Sequence, residues 1–435
     1  MTSEPAALEP LAGRPLAPAH LDALVAEVLA CTPFVDVHTH LFPSTLRSFS
    51  LWGIDDLLTY HYLEAELFRA SSIRPQAYWA LAKPERADLV WRTLFVDRTP
   101  LSEATRGVVS VLHMLGLDPA SACLAPLRDV FRGLSLPDHV DHVFRLAGIS
   151  SVVMTNDPLD GAEMAAWDRA RDTDARFHAA LRLDRILNEW ETHHAGLAAQ
   201  GYAVTADPGP ATLAELRRFL TTWSQRFAPR YMAVSLPDTF EFPRDDLRSR
   251  LLTGAVLPAC RDLDLPIALM IGVRRQVNPA LQLAGDACGQ ADLRAVGALC
   301  AQFPENRFMV SVLSRENQHE LCVYARKFGN LLPFGCWWFV SSASLVEEIT
   351  TERLELLGTS FIPQHSDARV LEHLLYKWRD TRTILTPILA NAYKRVAANG
   401  RPITRDDIVR DVTRLFRTNF EQWTPAAPVD GPGAP

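Results

Sequence analysis

The chain has 435 residues, of which 48% are hydrophobic and 22% charged, and its formal net charge is −7 at pH 7. A chain of this size and balance can bury one large core or two medium ones, so we expect a soluble globular protein. The acidic balance, without any lysine- or arginine-rich block, argues against nucleic-acid binding.

No apolar run approaches the roughly 20 residues of a membrane-spanning helix, so no membrane partner is expected. The N-terminal stretch MTSEPAALEPLAGRP has neither the basic nor the apolar region of a signal peptide. The seven cysteines are scattered and include no Cys-x-x-Cys pair, which is typical of reduced thiols. These features predict a cytoplasmic protein.

Short apolar runs alternate with longer segments of helical periodicity, and each run has the length of a buried strand. Continuous apolar strands that alternate with helices are typical of a parallel sheet, and eight such units predict an α/β protein with a (β/α)8 TIM barrel. An open doubly wound sheet is the alternative, but its usual Gly-x-Gly-x-x-Gly turn is absent. Strands are predicted at 34–38, 149–155, 177–183, 231–236, 266–272, 308–314, 332–339 and 359–365, and the clearest helices at 213–227, 292–303, 315–328 and 344–358.

A long region after the first strand contains no convincing strand and reads as several helices, including 58–70 and 86–95. We interpret it as a helical insertion, which on a barrel lies at the C-terminal face, where active sites occur. The predicted division is an N-terminal helical lead-in at 1–30, a single barrel domain at 31–425 with the insertion at about 44–145, and a disordered Pro- and Gly-rich tail at 426–435.

The first strand ends in the sequence FVDVHTHLFP, in which His38 and His40 alternate with other residues. Alternate side chains share one face of a strand, so the two imidazoles can bind one metal ion, although His-x-His pairs also arise by chance. The last strand ends in PQHSDAR, and the first and last strands of a closed barrel are neighbours. Asp367 is therefore predicted as the third ligand. The alternative for Asp367 is an N-cap of the final helix.

Polar residues also follow the second and third strands. Asn156 and Asp157 are candidates for the rim of the barrel, or else they only form a turn. Arg182 and Asp184 are candidates too, or else they form a structural ion pair. We favour a functional role for Arg182, because an arginine inside an apolar strand otherwise lacks a reason for burial.

Four aromatic or imidazole side chains complete the candidates. Trp337 and Trp338 end the seventh predicted strand, where both a site and the core are reasonable places for them. His61 and Tyr62 lie on a predicted amphipathic helix of the insertion, where such residues are more often packing or surface residues.

An ordered set of motifs over about residues 30–423 resembles the uronate isomerase (glucuronate isomerase) family of the amidohydrolase superfamily. The motifs are DVHTHLF, LWGIDDLLTYHYL, VVMTNDP, ALRLD, IGVRRQVNPALQLAGD, GCWWF and HSDAR. The resemblance implies a metal-containing barrel that interconverts D-glucuronate with D-fructuronate and D-galacturonate with D-tagaturonate. It implies one divalent metal ion, expected to be zinc, on His38, His40 and Asp367, and substrate or catalytic roles for His61, Tyr62, Arg182, Trp337, Trp338 and Arg369.

For an isomerase, the reaction moves a proton from C2 to C1 through an enediol. In that case Arg369 stabilises the enediolate, Tyr62 transfers a proton to C1, and Arg182 binds the C6 carboxylate. A ligand carboxylate or histidine is the expected base, and a metal-assisted hydride shift is the alternative route. The expected partners are a small-molecule uronate and further copies of the chain in a homo-oligomer.

The sequence departs from the family pattern at the fifth strand, where Met270 replaces a histidine that is common there. The sixth strand also ends without a histidine, and His319 lies too far along the next helix to replace it. A second metal is therefore not expected. The alternative function is a mononuclear metal-dependent hydrolase acting on a lactone or another sugar acid, but the acid or base that it needs on the rim is missing. If the barrel were only a binding or structural scaffold, its rim would be expected to have lost the polar residues of a site. The rim of this chain retains His38, His40, Asp367 and Arg369.

Overall fold

The structure is a computed structural model, and it describes residues 18–170 and 174–425. The predicted tail at 426–435 and the first 17 residues of the predicted lead-in lie outside the described residues. Among the described residues, none of the helices combines the length and the apolar character of a membrane span.

Eight strands form one sheet, and six of them coincide with predicted strands to within two residues at either end. Seven strands run parallel in the order β1-β2-β3-β4-β5-β7-β8, while β6 pairs antiparallel with β5. The sequence analysis did not predict β6, which is only two residues long. The strands are β1 Phe34–Thr39, β2 Ile149–Asn156, β3 Phe177–Arg182, β4 Met232–Pro237, β5 Ile267–Arg274, β6 Ala287–Cys288, β7 Phe308–Val312 and β8 Leu331–Pro333.

Helices separate the parallel strands, as the alternating apolar and amphipathic segments predict, and the largest apolar core lies between these helices and the sheet. Seven helices, α2 to α8, lie between β1 and β2. The helices are α1 Leu21–Cys31, α2 Ile54–Leu58, α3 His61–Ala70, α4 Pro75–Trp79, α5 Lys83–Trp91, α6 Glu103–Met114, α7 Ala125–Arg132, α8 Leu136–Ala147, α9 Gly161–Arg169, α10 Asp184–Leu187, α11 Trp190–Ala199, α12 Pro210–Phe227, α13 Leu247–Leu251, α14 Leu257–Asp262, α15 Arg294–Gln302, α16 Gln318–Ala325, α17 Ala343–Leu357, α18 His373–Ala398, α19 Arg405–Thr413 and α20 Asn419–Trp423.

The seventh predicted strand, at 332–339, is a strand only where it overlaps β8. Gly335 and Trp338 have left-handed backbone angles, with φ of 68° and 46°, and a short 3-10 turn occupies Trp338–Val340. A left-handed residue turns the chain out of the extended conformation, so the ladder cannot continue. The apolar character of this run made it look like a strand, but its backbone leaves the sheet.

The eighth predicted strand, at 359–365, is absent. Ile362 forms a single parallel bridge with Phe334, and Pro363 has no N–H to continue the ladder. The architecture is therefore α/β with a mostly parallel sheet and an irregular final segment, and closure of this sheet into an eight-stranded barrel stays a prediction.

A second, smaller apolar cluster is separate from this core and includes Val37, Val153, Met270, Met309 and Phe334. The pairing of β1 with β2 shifts register between Asp36 and Thr39. Such an irregularity redirects side chains and is common beside active sites. It lies where β1 reaches the rim formed by the carboxyl ends of the strands.

Candidate active site

One cavity at this rim encloses an empty volume of about 470 Å³ and brings together eight of the nine predicted site residues. Parallel strands end at a common rim, which explains how residues so distant in sequence meet. Tyr62 is the exception, because it is not part of the cavity wall. The predicted residues in the wall are His38, His40, His61, Arg182, Trp337, Trp338, Asp367 and Arg369.

The three metal ligands predicted from the sequence, His38, His40 and Asp367, lie together in this cavity, and we call them the metal group. His38 Nε2 lies 3.8 Å and His40 Nε2 3.2 Å from Asp367 Oδ1. Asp367 Oδ1 is buried and makes no hydrogen bond to a described residue. These three ligand atoms lie within 4.8 Å of one another, so a single ion can contact all three.

Hydroxyl groups orient both imidazoles. His38 Nδ1 lies 3.0 Å from the Tyr231 hydroxyl, which itself donates to the carbonyl of Val37 at 2.8 Å. Because the hydroxyl proton is used there, the oxygen accepts from His38 Nδ1–H, and Nε2 keeps its lone pair. His40 Nδ1 contacts the Thr155 hydroxyl at 2.8 Å, so its Nε2 also faces Asp367.

Both rings are neutral in the free protein. Burial lowers the pKa of His38 to about 3, although the Asp367 carboxylate acts in the opposite direction. Burial, and then Arg369 and Arg182, lower the pKa of His40 well below its ordinary value. The short contacts to Asp367 are therefore not ion pairs. Two neutral imidazoles and one carboxylate form a donor set that suits a divalent metal ion.

Main-chain hydrogen bonds to β1 fix the position of Asp367. Its N–H donates to the carbonyl of His38 at 3.1 Å, and the N–H of His40 donates to the carbonyl of Ala368 at 2.7 Å. Asp36 Oδ1 accepts from the N–H of Ser366 at 3.0 Å. Asp367 has a left-handed φ of 51° and lies before α18, whose N-cap is Glu372. The alternative role of Asp367 as a helix N-cap is therefore wrong.

Three arginine side chains line the same cavity as the three metal-ligand candidates. Arg182 Nε donates to Asp184 Oδ2 at 3.0 Å, so the ion pair considered as the structural alternative is present, and both residues nevertheless line the cavity. Arg369 Nε is buried without a hydrogen-bond partner among the described residues. A third guanidinium, Arg275, lines the same cavity.

The aromatic residues form the remaining wall. The Trp338 and His61 rings pack edge to face at 5.7 Å, and burial lowers the pKa of His61 well below its ordinary value, so the imidazole is neutral. The Tyr62 ring packs on His61 at 4.6 Å, outside the cavity. Burial raises the pKa of Tyr62 well above its ordinary value, so the phenol keeps its proton.

The other sequence candidates lie away from the metal group. Asn156 is buried and donates to Glu163 at 2.9 Å, and Asp157 Oδ1 accepts from the N–H of Leu159, as expected of a turn. His319 is exposed and pairs with Glu352.

Three residues of the site were missed. Arg275 lies in the quoted motif IGVRRQVNPALQLAGD, but no periodicity distinguishes it from a surface arginine. Tyr231 begins a predicted strand and resembles core. Thr155 is the second-last residue of β2, beside the chosen candidates Asn156 and Asp157, and its position near a strand end was an available signal.

No protein-family model matches the chain, and no curated protein sequence does either. Among solved structures, a uronate isomerase from Bacillus halodurans C-125 is 46% identical, covers 94% of this chain and 97% of that one, and superposes with a TM-score of 0.92. A glucuronate isomerase from Caulobacter crescentus (TM-score 0.75, 14% identity, 95% and 97% covered) and a uronate isomerase from Thermotoga maritima (0.74, 14%, 94% and 99%) share the fold. At the identity and coverage of the first structure, and as the motifs predict, the chain belongs to the uronate isomerase family.

Proposed function

We propose that this chain is an aldose–ketose isomerase that interconverts D-glucuronate with D-fructuronate and D-galacturonate with D-tagaturonate. The observation that carries the proposal is the convergence of His38, His40 and Asp367 with Arg182 and Arg369 in one cavity. Family membership supports the same reaction. The site has the two features that an open-chain uronate needs, a metal group for its reacting end and guanidinium groups for its carboxylate.

The metal ligands are His38, His40 and Asp367, and zinc is the ion that we propose for this donor set. When bound, a divalent ion supplies a Lewis acid for the C1 and C2 oxygens. Arg182 binds the C6 carboxylate through its outer N–H groups, because a guanidinium and a carboxylate form two parallel hydrogen bonds. This contact fixes the distance of C1 and C2 from the metal group.

The same cavity provides groups for proton transfer. Arg369, two residues after Asp367, stabilises negative charge on the enediolate oxygens, because its guanidinium has no carboxylate partner among the described residues. The Asp367 carboxylate is the proposed base at C2. Tyr62, whose ring packs on His61, remains the proposed donor to C1. Trp337 and Trp338 exclude water from the enediol.

The test is a proton NMR time course in heavy water with D-glucuronate and D-galacturonate, the metal-loaded protein, and Asp367→Asn as control. We expect the C2 proton signal to disappear and ketose signals to grow, with neither change in the control. Deuterium at C1 of the product favours proton transfer over a hydride shift. If neither sugar changes while the protein still binds metal, the proposal is wrong, and the hydrolase alternative is then tested with lactones.

Four further predictions accompany this proposal. The sheet closes into a (β/α)8 barrel through 359–368, supported by hydrogen bonds of that segment to both β8 and β1. Residues 31–425 form one domain, the protein works in the cytoplasm, and it assembles as a homo-oligomer, which light scattering of the purified chain would measure.

A further inference from the structure

A turn at residues 337–341, which we call the Trp338 turn, forms part of the cavity wall. The ring of Trp338 lines the cavity and packs edge to face on His61, with 5.7 Å between the ring centres. The backbone of Trp338 is left-handed, with a φ of 46°. A residue other than glycine keeps such a conformation only where surrounding contacts hold it there. The contacts of this turn therefore show what positions the wall.

Ser341 closes the Trp338 turn. Its N–H and its hydroxyl both donate to the carbonyl of Trp338, at 3.2 Å and 2.8 Å. Because the hydroxyl proton is used there, the Ser341 oxygen acts as an acceptor toward other groups, and it accepts from Lys377 Nζ at 3.1 Å. The turn is therefore attached to Lys377, which lies on α18.

Lys377 is largely buried and has a charged partner. Its ammonium donates to Glu103 Oε1 at 2.7 Å, and the two side chains are only 10% and 18% exposed. Lysine is seldom buried unless it is paired. Neither Lys377 nor Glu103 lines the cavity of the site. The pair joins α18 and the Trp338 turn to α6, which begins at Glu103, and so fixes the positions of these elements relative to one another.

The other side of the wall is attached to the same point of the insertion. His61 is the first residue of α3, and Glu66 lies on the same helix. Glu66 Oε2 accepts from the hydroxyl of Ser102 at 2.7 Å, and Ser102 is the N-cap of α6, directly before Glu103. The beginning of α6 is thus connected to both members of the wall. The contacts close a ring that runs through His61, Glu66, Ser102, Glu103, Lys377, Ser341 and Trp338.

Helix α18 supports this wall at two positions. His373 and Lys377 lie four residues apart and therefore on one face of the helix. The ring of His373 packs on Tyr60 at 4.4 Å, and Tyr60 packs on His61 at 4.2 Å between ring centres. One face of α18 therefore contacts the His61 side through stacked rings and the Trp338 side through hydrogen bonds.

We propose that Lys377 is a positioning residue of the active site. Through Ser341 it holds the Trp338 turn against His61, and through Glu103 it makes the position of that turn depend on the insertion. The inference rests on the proposed isomerase function, and it adds a residue outside the cavity wall to those that determine how firmly the substrate is enclosed. Lys377 takes no part in bond making or proton transfer.

The sharpest test is Ser341→Ala, which removes the link to the turn and leaves the pair of Lys377 with Glu103 intact. Values of kcat and KM are measured on the metal-loaded enzyme with the uronate that it isomerises. We expect kcat/KM to fall about fivefold, mainly through KM, since one net hydrogen bond contributes on that order. Ser341→Thr keeps the hydroxyl and should keep the wild-type value. Ser342→Ala is the matched control, because the neighbouring Ser342 side chain makes no capping hydrogen bond to α17.

Lys377→Met tests the lysine itself. It keeps a long apolar side chain but removes the charge, so kcat/KM should fall about tenfold, as expected for a charge-assisted hydrogen bond. The control is Lys394→Met on the same helix, where the lysine pairs with Asp22 far along the chain from the site. Metal affinity should not change in any of these variants, because neither Ser341 nor Lys377 contacts a member of the metal group.

Two results would overturn the inference. In the first, Ser341→Ala and Ser342→Ala have the same kcat/KM. In the second, the loss of kcat/KM in Ser341→Ala is matched by an equal loss of metal affinity, which would mean that the substitution disturbs the metal group and not the wall.

Failure of this inference is distinguishable from failure of the isomerase function. If the wild-type protein isomerises neither uronate, the proposed function fails, and hydrogen exchange of the segment 337–341 then tests the role of Lys377 alone. The N–H of Val340 donates to the carbonyl of Trp337 at 3.1 Å within the turn. Faster exchange of this segment in Ser341→Ala and Lys377→Met, but not in Ser342→Ala and Lys394→Met, supports the inference. Equal exchange in all four variants overturns it.

Discussion

The first strand and the final irregular segment both supply metal ligands, but they hold them differently. His38 and His40 come from the end of β1, and hydroxyl groups of Tyr231 and Thr155 orient their rings. Asp367 comes from a segment without strand structure and is held through its main chain. In the first case side chains from β2 and from the residue before β4 orient the ligands, whereas in the second the backbone itself is constrained.

Three left-handed backbone angles lie close to this segment, although Ala228, Asp264, Gln276 and Gln282 have positive φ elsewhere in the described chain. Gly335, Trp338 and Asp367 all have φ between 46° and 68°, and all three lie in or before the final segment. Residues in sparsely populated backbone regions cluster at functional sites, because surrounding contacts must hold them there. We therefore expect the final segment to respond to changes in packing and β1 to respond to changes in single polar contacts.

The largest effect should come from removing one metal ligand of the final segment, with Asp367→Asn, or one metal ligand at the end of β1, with His40→Asn. Each variant loses a donor atom, so we expect metal affinity to fall about 10³-fold or more, beyond the 10- to 100-fold that loss of an outer contact causes. Competition with a chromogenic chelator measures it. The control is His319→Asn on the exposed surface, and wild-type affinity in Asp367→Asn would remove this aspartate from the metal group.

The second effect concerns packing in the final segment. A Cβ at Gly335 would lie 1.9 Å from the His365 ring, and the residue has a positive φ. Gly335→Ala should therefore lower the free energy of unfolding by about 3 kcal/mol through strain and overpacking. Urea denaturation measures this change. Gly329→Ala, where a Cβ meets no atom within 4 Å, should change the stability far less, and equal losses would contradict the explanation.

A third, smaller effect concerns the hydroxyl that orients a ligand of β1. Tyr231→Phe keeps the buried ring but removes the contact with His38 Nδ1, so metal affinity should fall about 10- to 100-fold while the fold remains. Tyr202→Phe is the control, because the Tyr202 hydroxyl makes no hydrogen bond to a described residue. Unchanged metal affinity in Tyr231→Phe would show that the ring of His38 is oriented by packing alone.

The smallest effect tests a regular strand that carries no ligand. On β3, burial and then Arg230 lower the pKa of the half-buried His178 to about 4. Because the unfolded chain binds the proton more tightly, stability rises as pH increases from about 4 to 6.5. His178→Gln should reduce the stability lost between pH 7 and pH 5 by about 1 kcal/mol. Denaturation curves at the two pH values measure this, and an identical loss in both proteins would contradict it.

The sequence-based predictions were accurate for β1 and less accurate for the final segment. The alternation in β1 placed His38 and His40 on one face, and the expected adjacency of the first and last strands brought Asp367 to them. The last two strands were predicted wrongly, because the apolar character of 332–339 does not reveal that Gly335 has a positive φ. Local periodicity carries no information about backbone hydrogen bonds made to another part of the chain.

The residues that orient the metal ligands could not be predicted from the local sequence pattern either. Tyr231 is fully buried directly before the apolar strand β4, and its hydroxyl contacts His38, 193 positions away. Nothing near Tyr231 in the sequence distinguishes it from a core aromatic. For Tyr62 the family motif predicts a direct role, which stays a prediction, and its ring packs on His61 outside the cavity wall.

The hydrogen bond between Asp36 and Ser366 joins residues 330 positions apart, and it also has a consequence in time. During synthesis at roughly 5–20 residues per second, β1 leaves the ribosome tens of seconds before the segment that carries Asp367. In that interval the metal site has only two of its three ligands, His38 and His40. Loading of the metal is therefore a late event in the life of the chain, and an incomplete chain would hold the ion weakly.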